Sequence, residues 1–234
     1  MRPAGAEPVT INVEGVRVSG LFQTSPRARV CYVLAHGAGA GMTHPFMAFV
    51  ADGLAERGIA TLRYQFLYME RGGKRPDPPK LAYAAVRAAV AEAGRRQPKL
   101  PLVAGGKSFG GRMTSQAHAA VPLPGIRGLV FLGFPLHAAK EPSSERGKHL
   151  FDVQIPMLFL QGTRDALAMP DQIESLCKAL GKRATLQLLV DADHSFHVPA
   201  RSMRNDAQVM AEMLDAIAAW IDRVIVLGNV RSLL

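Results

Sequence analysis

The chain has 234 residues, enough for one sizeable α/β domain with a buried core and little room for a second. With 48% hydrophobic and 20% charged residues it has a globular composition, and no apolar run reaches the ~18 residues of a membrane-crossing helix. A formal charge of +9, from 28 basic and 19 acidic residues, raises nucleic acid or an anionic surface as a partner. The basic residues are scattered, however, with small groups at 71–75 and 95–96. No basic helix face is interleaved with aromatics, so a solvated, arginine-rich surface is favoured over nucleic-acid binding. The opening Met1-Arg2-Pro3-Ala4-Gly5-Ala6-Glu7-Pro8 lacks the apolar segment of an export signal, which points to the cytoplasm. Cys31 and Cys177 belong to no metal-type cluster and read as free thiols in a reducing compartment.

In chain order, Val9, Ile11 and Val13, then Val16, Val18 and Leu21, flank Glu14-Gly15 and predict a β-hairpin at a sheet edge. Residues 29–35 are β-branched-rich, as a fully buried strand requires. Pro45 opens a helix over 45–57, with Phe46, Phe49, Val50 and Leu54 at core spacing. A strand follows at 59–66, then a polar loop at 71–79 and an alanine-rich helix at 80–95. The apolar run 100–104 leads to a helical stretch at 112–121. Strands are expected at 128–134, 156–161 and 184–190, with a short helix around 145–151 and another at 170–180. The final helix, 206–224, carries Met210, Met213, Leu214, Ile217, Trp220 and Ile221 as a packing stripe. Strands alternating with helices predict an α/β fold, one domain over 1–234 with a mostly parallel sheet covered on both faces. The connection 135–155 is too short for an inserted cap domain, so the site should be shallow and open.

Between strand and helix stands Gly106-Lys107-Ser108-Phe109-Gly110. A Gly-x-Ser-x-Gly in that setting reads as a nucleophile elbow, a turn so sharp that only glycine-sized neighbours fit and the serine Oγ stands proud. The pentapeptide alone is weak; its companions make the case. Serine needs a base to take its proton, an acid to orient that base, and amides to receive the oxyanion. Asp165, in Gln161-Gly162-Thr163-Arg164-Asp165 after a strand, is the acid chosen. His194, in Asp193-His194-Ser195-Phe196 after the last strand, is the base, with His197 and Asp193 as competitors for the two roles. The order Ser108, Asp165, His194 is the order this architecture requires. The other histidines, His36, His44, His118, His137 and His149, read as structural or exposed.

For the oxyanion hole, His36-Gly37-Ala38-Gly39-Ala40-Gly41 offers the Ala38 N–H, with Gly39 as the fallback. The second donor is the Phe109 N–H, next to the nucleophile. Gly106-Lys107-Ser108 is no phosphate loop, because that pattern needs a glycine where Pro101 stands. Lys107 is then the variable residue of the elbow, placed at the pocket mouth to favour anionic substrates or to meet solvent.

These motifs resemble the α/β-hydrolase superfamily, in its cap-less, dienelactone-hydrolase-like branch. The chain is most similar there to the small family of a testis-expressed hydrolase-like protein and a regulatory subunit of the NSL chromatin complex. The residues carrying the resemblance are His36-Gly37-Ala38-Gly39, Gly105 through Arg112, Leu132-Gly133-Phe134-Pro135-Leu136-His137, Leu160 through Asp165, and Asp193 through Phe196. It implies Ser108, Asp165 and His194 as a triad; a dienelactone hydrolase would carry cysteine at the nucleophile. The expected activity is a serine hydrolase cleaving an ester, thioester or related acyl bond of a small molecule, with no cofactor or metal required. Phe66, Leu67, Tyr68, Met69 and the stretch 137–151 are expected, by loop position, to line its pocket. The alternative is a catalytically silent interaction protein on the same fold, and the sequence leaves a homo-oligomer open.

Overall fold

The computed structural model describes residues 5–139, 141 and 143–226. The first four residues of the opening segment, and the last eight of the expected 1–234 domain, lie outside the described residues. Eight strands form one sheet: β1 (Glu7–Val13), β2 (Val16–Gln23), β3 (Val30–Ala35), β4 (Ile59–Tyr64), β5 (Leu102–Lys107), β6 (Ile126–Leu132), β7 (Met157–Gly162) and β8 (Ala184–Leu189). Their spatial order is β1-β2-β4-β3-β5-β6-β7-β8. The hairpin β1–β2 is antiparallel, β2 meets β4 antiparallel, and every later pairing is parallel. Its alternation shows why it sits at the edge: Val9, Ile11 and Val13 are buried while Pro8, Thr10 and Asn12 face outward. The central strands β3 and β4 are buried at every position, as a sheet covered on both faces demands.

Six α-helices cover the sheet: α1 (Pro45–Glu56), α2 (Leu67–Glu70), α3 (Pro79–Arg96), α4 (Phe109–Ala120), α5 (Pro170–Leu180) and α6 (Asp206–Trp220). The core falls into two clusters, one on each side of the sheet. Helices α1 and α6 contribute Met47, Val50 and Leu54 with Met213, Leu214, Ile217 and Trp220 to one cluster. Helices α3, α4 and α5 contribute Val86, Val90, Met113, Ile173 and Leu176 to the other. Among the described residues no helix is long and apolar enough to cross a membrane.

Three local expectations need correction. Phe49 is 49% exposed, because α1 buries Met47, Val50, Ala51 and Leu54 instead, and Phe49 falls beyond that stripe. The strand before the elbow continues to Lys107 and the helix begins at once with Phe109. The glycines that looked like punctuation are inside these elements. The last α-helix stops at Trp220 and gives way to a wider π-type turn over Ile221–Val226.

Candidate active site

The carboxyl ends of the parallel strands bring three loops together, as open α/β sheets do. Ser108 occupies the corner between β5 and α4 at φ 49° and ψ −116°, a left-handed conformation rare for a side-chain-bearing residue. Its N–H donates to the Leu132 carbonyl at 3.1 Å, which ties the corner to β6. The corner is possible because its neighbours lack side chains. A Cβ at Gly106, where φ is +143°, would lie 2.1 Å from the Ala35 carbonyl oxygen. One at Gly110 would lie 2.4 Å from the carbonyl oxygen of His36.

The Ser108 Oγ lies 2.8 Å from His194 Nε2, and His194 Nδ1 lies 2.7 Å from Asp165 Oδ2. With the Nδ1 proton donated to Asp165, Nε2 is left as acceptor for the serine hydroxyl. The imidazole is a quarter exposed whereas Asp165 is fully buried, so the relay runs from the open cleft down into the protein. Asp165 follows β7 in a tight turn, where its Oδ1 accepts the Leu167 N–H at 2.8 Å. Its Oδ2 also accepts from the Gln161 side-chain amide at 2.5 Å. The structure therefore brings all three residues singled out by sequence into one hydrogen-bonded chain.

The competitors are engaged elsewhere. Asp193 Oδ1 accepts the N–H groups of Ser195 and His197, closing the turn that carries His194. His197 is exposed and pairs with Asp206 at 2.8 Å, which raises its pKa. Of the remaining histidines, His36 is fully buried beneath the candidate oxyanion loop. Its Nδ1 bonds the Gly37 carbonyl and its Nε2 accepts the Phe66 N–H. Burial lowers its pKa to about 4, so it is neutral scaffolding at ordinary pH. His149 bonds Ser115, and burial with the nearby Arg112 lowers its pKa to about 4 as well. His44 caps α1 through Nδ1 and reaches the cavity wall, a place its sequence context did not single out.

A cavity of about 450 Å³ opens beside Ser108 and His194, walled by Ala38, Phe46, Met47 and Leu167 among others. Ala38 lines this cavity together with Ser108 and His194. The fallback, the Gly39 N–H, already donates to the Tyr68 hydroxyl at 3.2 Å. The Phe109 N–H belongs to the first turn of α4, whose amides have no partner within the helix and point toward the corner. The segment Phe66–Met69 was expected in this wall and is not part of it. Phe66 caps α2 and the other three residues lie in it; the Tyr68 hydroxyl accepts the Gly39 N–H and the Phe66 N–H donates to His36, which braces the candidate oxyanion loop. The described residues of 137–151 are likewise not among those lining it; His137 bonds Gln172, and residues 140 and 142 lie outside the described residues. Among the described residues of the connection between β6 and β7 the one helical element is a 3-10 helix, Glu145–Asp152.

Two residues have more to do than their sequence context suggested. Gln161 lies on a strand otherwise apolar from Met157 to Leu160, and a buried amide there must find partners. It finds two: Asp165, and the Phe134 N–H, which it accepts at 2.9 Å. Lys107 does not simply meet solvent; its ammonium donates to the His194 carbonyl. Burial lowers its pKa to about 8, partly offset by the carboxylates of Asp165 and Asp193. Among the described residues no group of three or more histidine, cysteine, aspartate or glutamate side chains is arranged to hold a metal.

An eight-stranded sheet with helices on both faces and a serine at a strained strand-to-helix corner defines the α/β-hydrolase class. The chain belongs to that family: its residues 28–222 match the family model described as an alpha/beta hydrolase domain. It is similar in structure to a dienelactone hydrolase from Anabaena variabilis, at TM-score 0.76 and 20% identity, over 96% of this chain and 99% of that one. A lidless a/b serine hydrolase from Xanthomonas campestris aligns at TM-score 0.72 and 20% identity, covering 93% and 96% of the two chains. An esterase from Pyrococcus furiosus aligns at TM-score 0.71 and 18% identity, covering 94% and 93%. At such identities these likenesses concern the fold.

Proposed function

We propose that the protein is a serine hydrolase that cleaves an ester, thioester or related acyl bond of a small molecule. The observation that carries this reading is the continuous chain Ser108 Oγ, His194 Nε2, His194 Nδ1, Asp165 Oδ2, with links of 2.8 and 2.7 Å, at the wall of a cavity. As Ser108 Oγ bonds the acyl carbon, its proton passes to His194 Nε2, and Asp165 holds the resulting imidazolium. The carbonyl oxygen becomes an oxyanion between the Ala38 and Phe109 amides, each such donor being worth about 10²–10³ in rate. Collapse expels the alcohol or thiol, which takes the proton from His194 and leaves an acyl-serine. Water then gives a proton to His194, attacks the acyl carbon, and releases the acid as Ser108 regains its proton.

The apolar part of the wall (Phe46, Met47 and Leu167) favours an uncharged acyl group of modest size. The alternative, a silent interaction protein of the NSL-subunit type, gives no reason for a buried carboxylate to orient an imidazole toward a strained serine. A fluorophosphonate probe separates the two. Folded wild type should be labelled, Ser108→Ala should not, and p-nitrophenyl acetate turnover should vanish with the label. Folded wild type that neither labels nor turns over short esters or thioesters would leave the interaction protein as the better reading.

A further inference from the structure

We propose that Lys107 is a positioning residue for His194, a brace that ties the nucleophile corner to the loop carrying the base. The inference rests on the hydrolase reading, since it assigns Lys107 a task within that chemistry. Lys107 directly precedes Ser108, so its backbone is part of the elbow, yet its ammonium reaches across to the His194 carbonyl. One residue therefore bonds the backbone of the base through its long side chain while its own backbone positions the nucleophile.

The slot is shaped for this reach. The ammonium lies 5.1 Å from the ring centre of Phe196 and 6.0 Å from that of Phe46, two rings stacked at 5.9 Å and only 9° from parallel. Phe196 belongs to the His194 loop and Phe46 to α1, so the cation is lodged between elements as well as against them. A Cβ at Gly133 would meet Lys107 Nζ at 3.0 Å and His194 Cε1 and Nδ1 at 3.4 Å. Ammonium and imidazole therefore share one narrow space that glycine leaves open. The ionisable groups facing Lys107 are the carboxylates of Asp165 and Asp193 and the ring of His194.

A half-buried ammonium is costly to desolvate, and the lowering of its pKa to about 8 reflects that cost. A residue chosen for stability alone would be apolar here. The charge is useful to the chemistry, because a carbonyl held by an ammonium fixes the height of the imidazole over Ser108. Small displacements of a base cost rate steeply while leaving substrate binding nearly untouched.

The test is Lys107→Met, which keeps the unbranched apolar stem and removes the donor. We expect the variant to fold with a melting temperature equal to or above wild type. Turnover of p-nitrophenyl acetate should fall about tenfold to a hundredfold in kcat with KM within about twofold. Backbone amides of residues 193–197 should exchange with deuterium faster in the variant, a readout that does not depend on activity. Lys107→Arg, which restores a donor, should recover protection of that loop at least in part. Unchanged exchange and unchanged kcat in Lys107→Met would overturn the brace. A rise in KM alone would overturn it too, by making Lys107 a substrate-binding group. Faster loop exchange in Lys107→Met beside a folded wild type that proves inactive would overturn the hydrolase reading, and with it the catalytic task of Lys107, while the contact itself would stand.

Discussion

Gln161 and His194 bond the same oxygen of Asp165, at 2.5 and 2.7 Å, within a fully buried carboxylate. Gln161 is anchored in turn by the Phe134 N–H, so the acid is fixed by β7 and by the loop that follows β6. Replacing Gln161 by Met fills the space and removes one donor to a charged acceptor. A bond of that kind is worth roughly 1.5–3 kcal/mol, so kcat should fall about tenfold to a hundredfold. Asp165→Asn should do more, because an amide can present the wrong group to Nδ1; a loss near 10³–10⁴ in kcat is expected. Steady-state kinetics on p-nitrophenyl acetate with circular dichroism of both variants checks this. If Gln161→Met keeps full turnover, the amide is only filling space.

The corner itself should resist change. Alanine at Gly110 would drive its methyl to 2.4 Å from the His36 carbonyl oxygen and 2.7 Å from the Ala35 Cβ, both in buried chain at the end of β3. Neither neighbour is a flexible side-chain tip, so relaxation must move the oxyanion loop. We expect Gly110→Ala to destabilise by about 3 kcal/mol or more and to lose activity even where it remains folded. Urea denaturation measures the first effect; an unchanged midpoint would show that the loop can retreat at little cost.

Acid should weaken the fold through its buried histidines. His36 and His149 are held at about 4 by burial, against 6.5 in a free histidine. A group whose folded pKa is depressed binds fewer protons folded than unfolded between those two values. Stability is therefore kept above about pH 6.5 and lost as pH falls toward 4. For His36 the loss is on the order of 3 kcal/mol at the lower end. Thermal melts from pH 7 to pH 4 should slide downward over this window, and His149→Phe, beside Phe134, should flatten the slope. A melting temperature level across that range would mean that both rings are protonated without cost.

Much of this was legible in the chain. The edge hairpin, the buried parallel strands and five of the six α-helices follow from alternation, β-branched runs and helical spacing, because burial patterns are local in sequence. The exception is α2, four residues too short to show a helical period in the sequence. The order Ser108, Asp165, His194 was legible too, but order alone does not separate His194 from His197 or Asp165 from Asp193, and the contacts do. Phe49 was misplaced because a helical stripe defined by hydrophobicity alone cannot say which side its partner helix approaches.

By itself the sequence determined the fold class, the elbow serine and the order in which acid and base had to appear. It could do so because a turn that admits only glycine neighbours writes itself into consecutive residues. Tertiary structure alone decided the partners of Gln161 and Lys107 and the composition of the cavity wall. Those depend on which side chains from distant strands end at the same height above the sheet. Register between strands sets that height, and no local pattern records it.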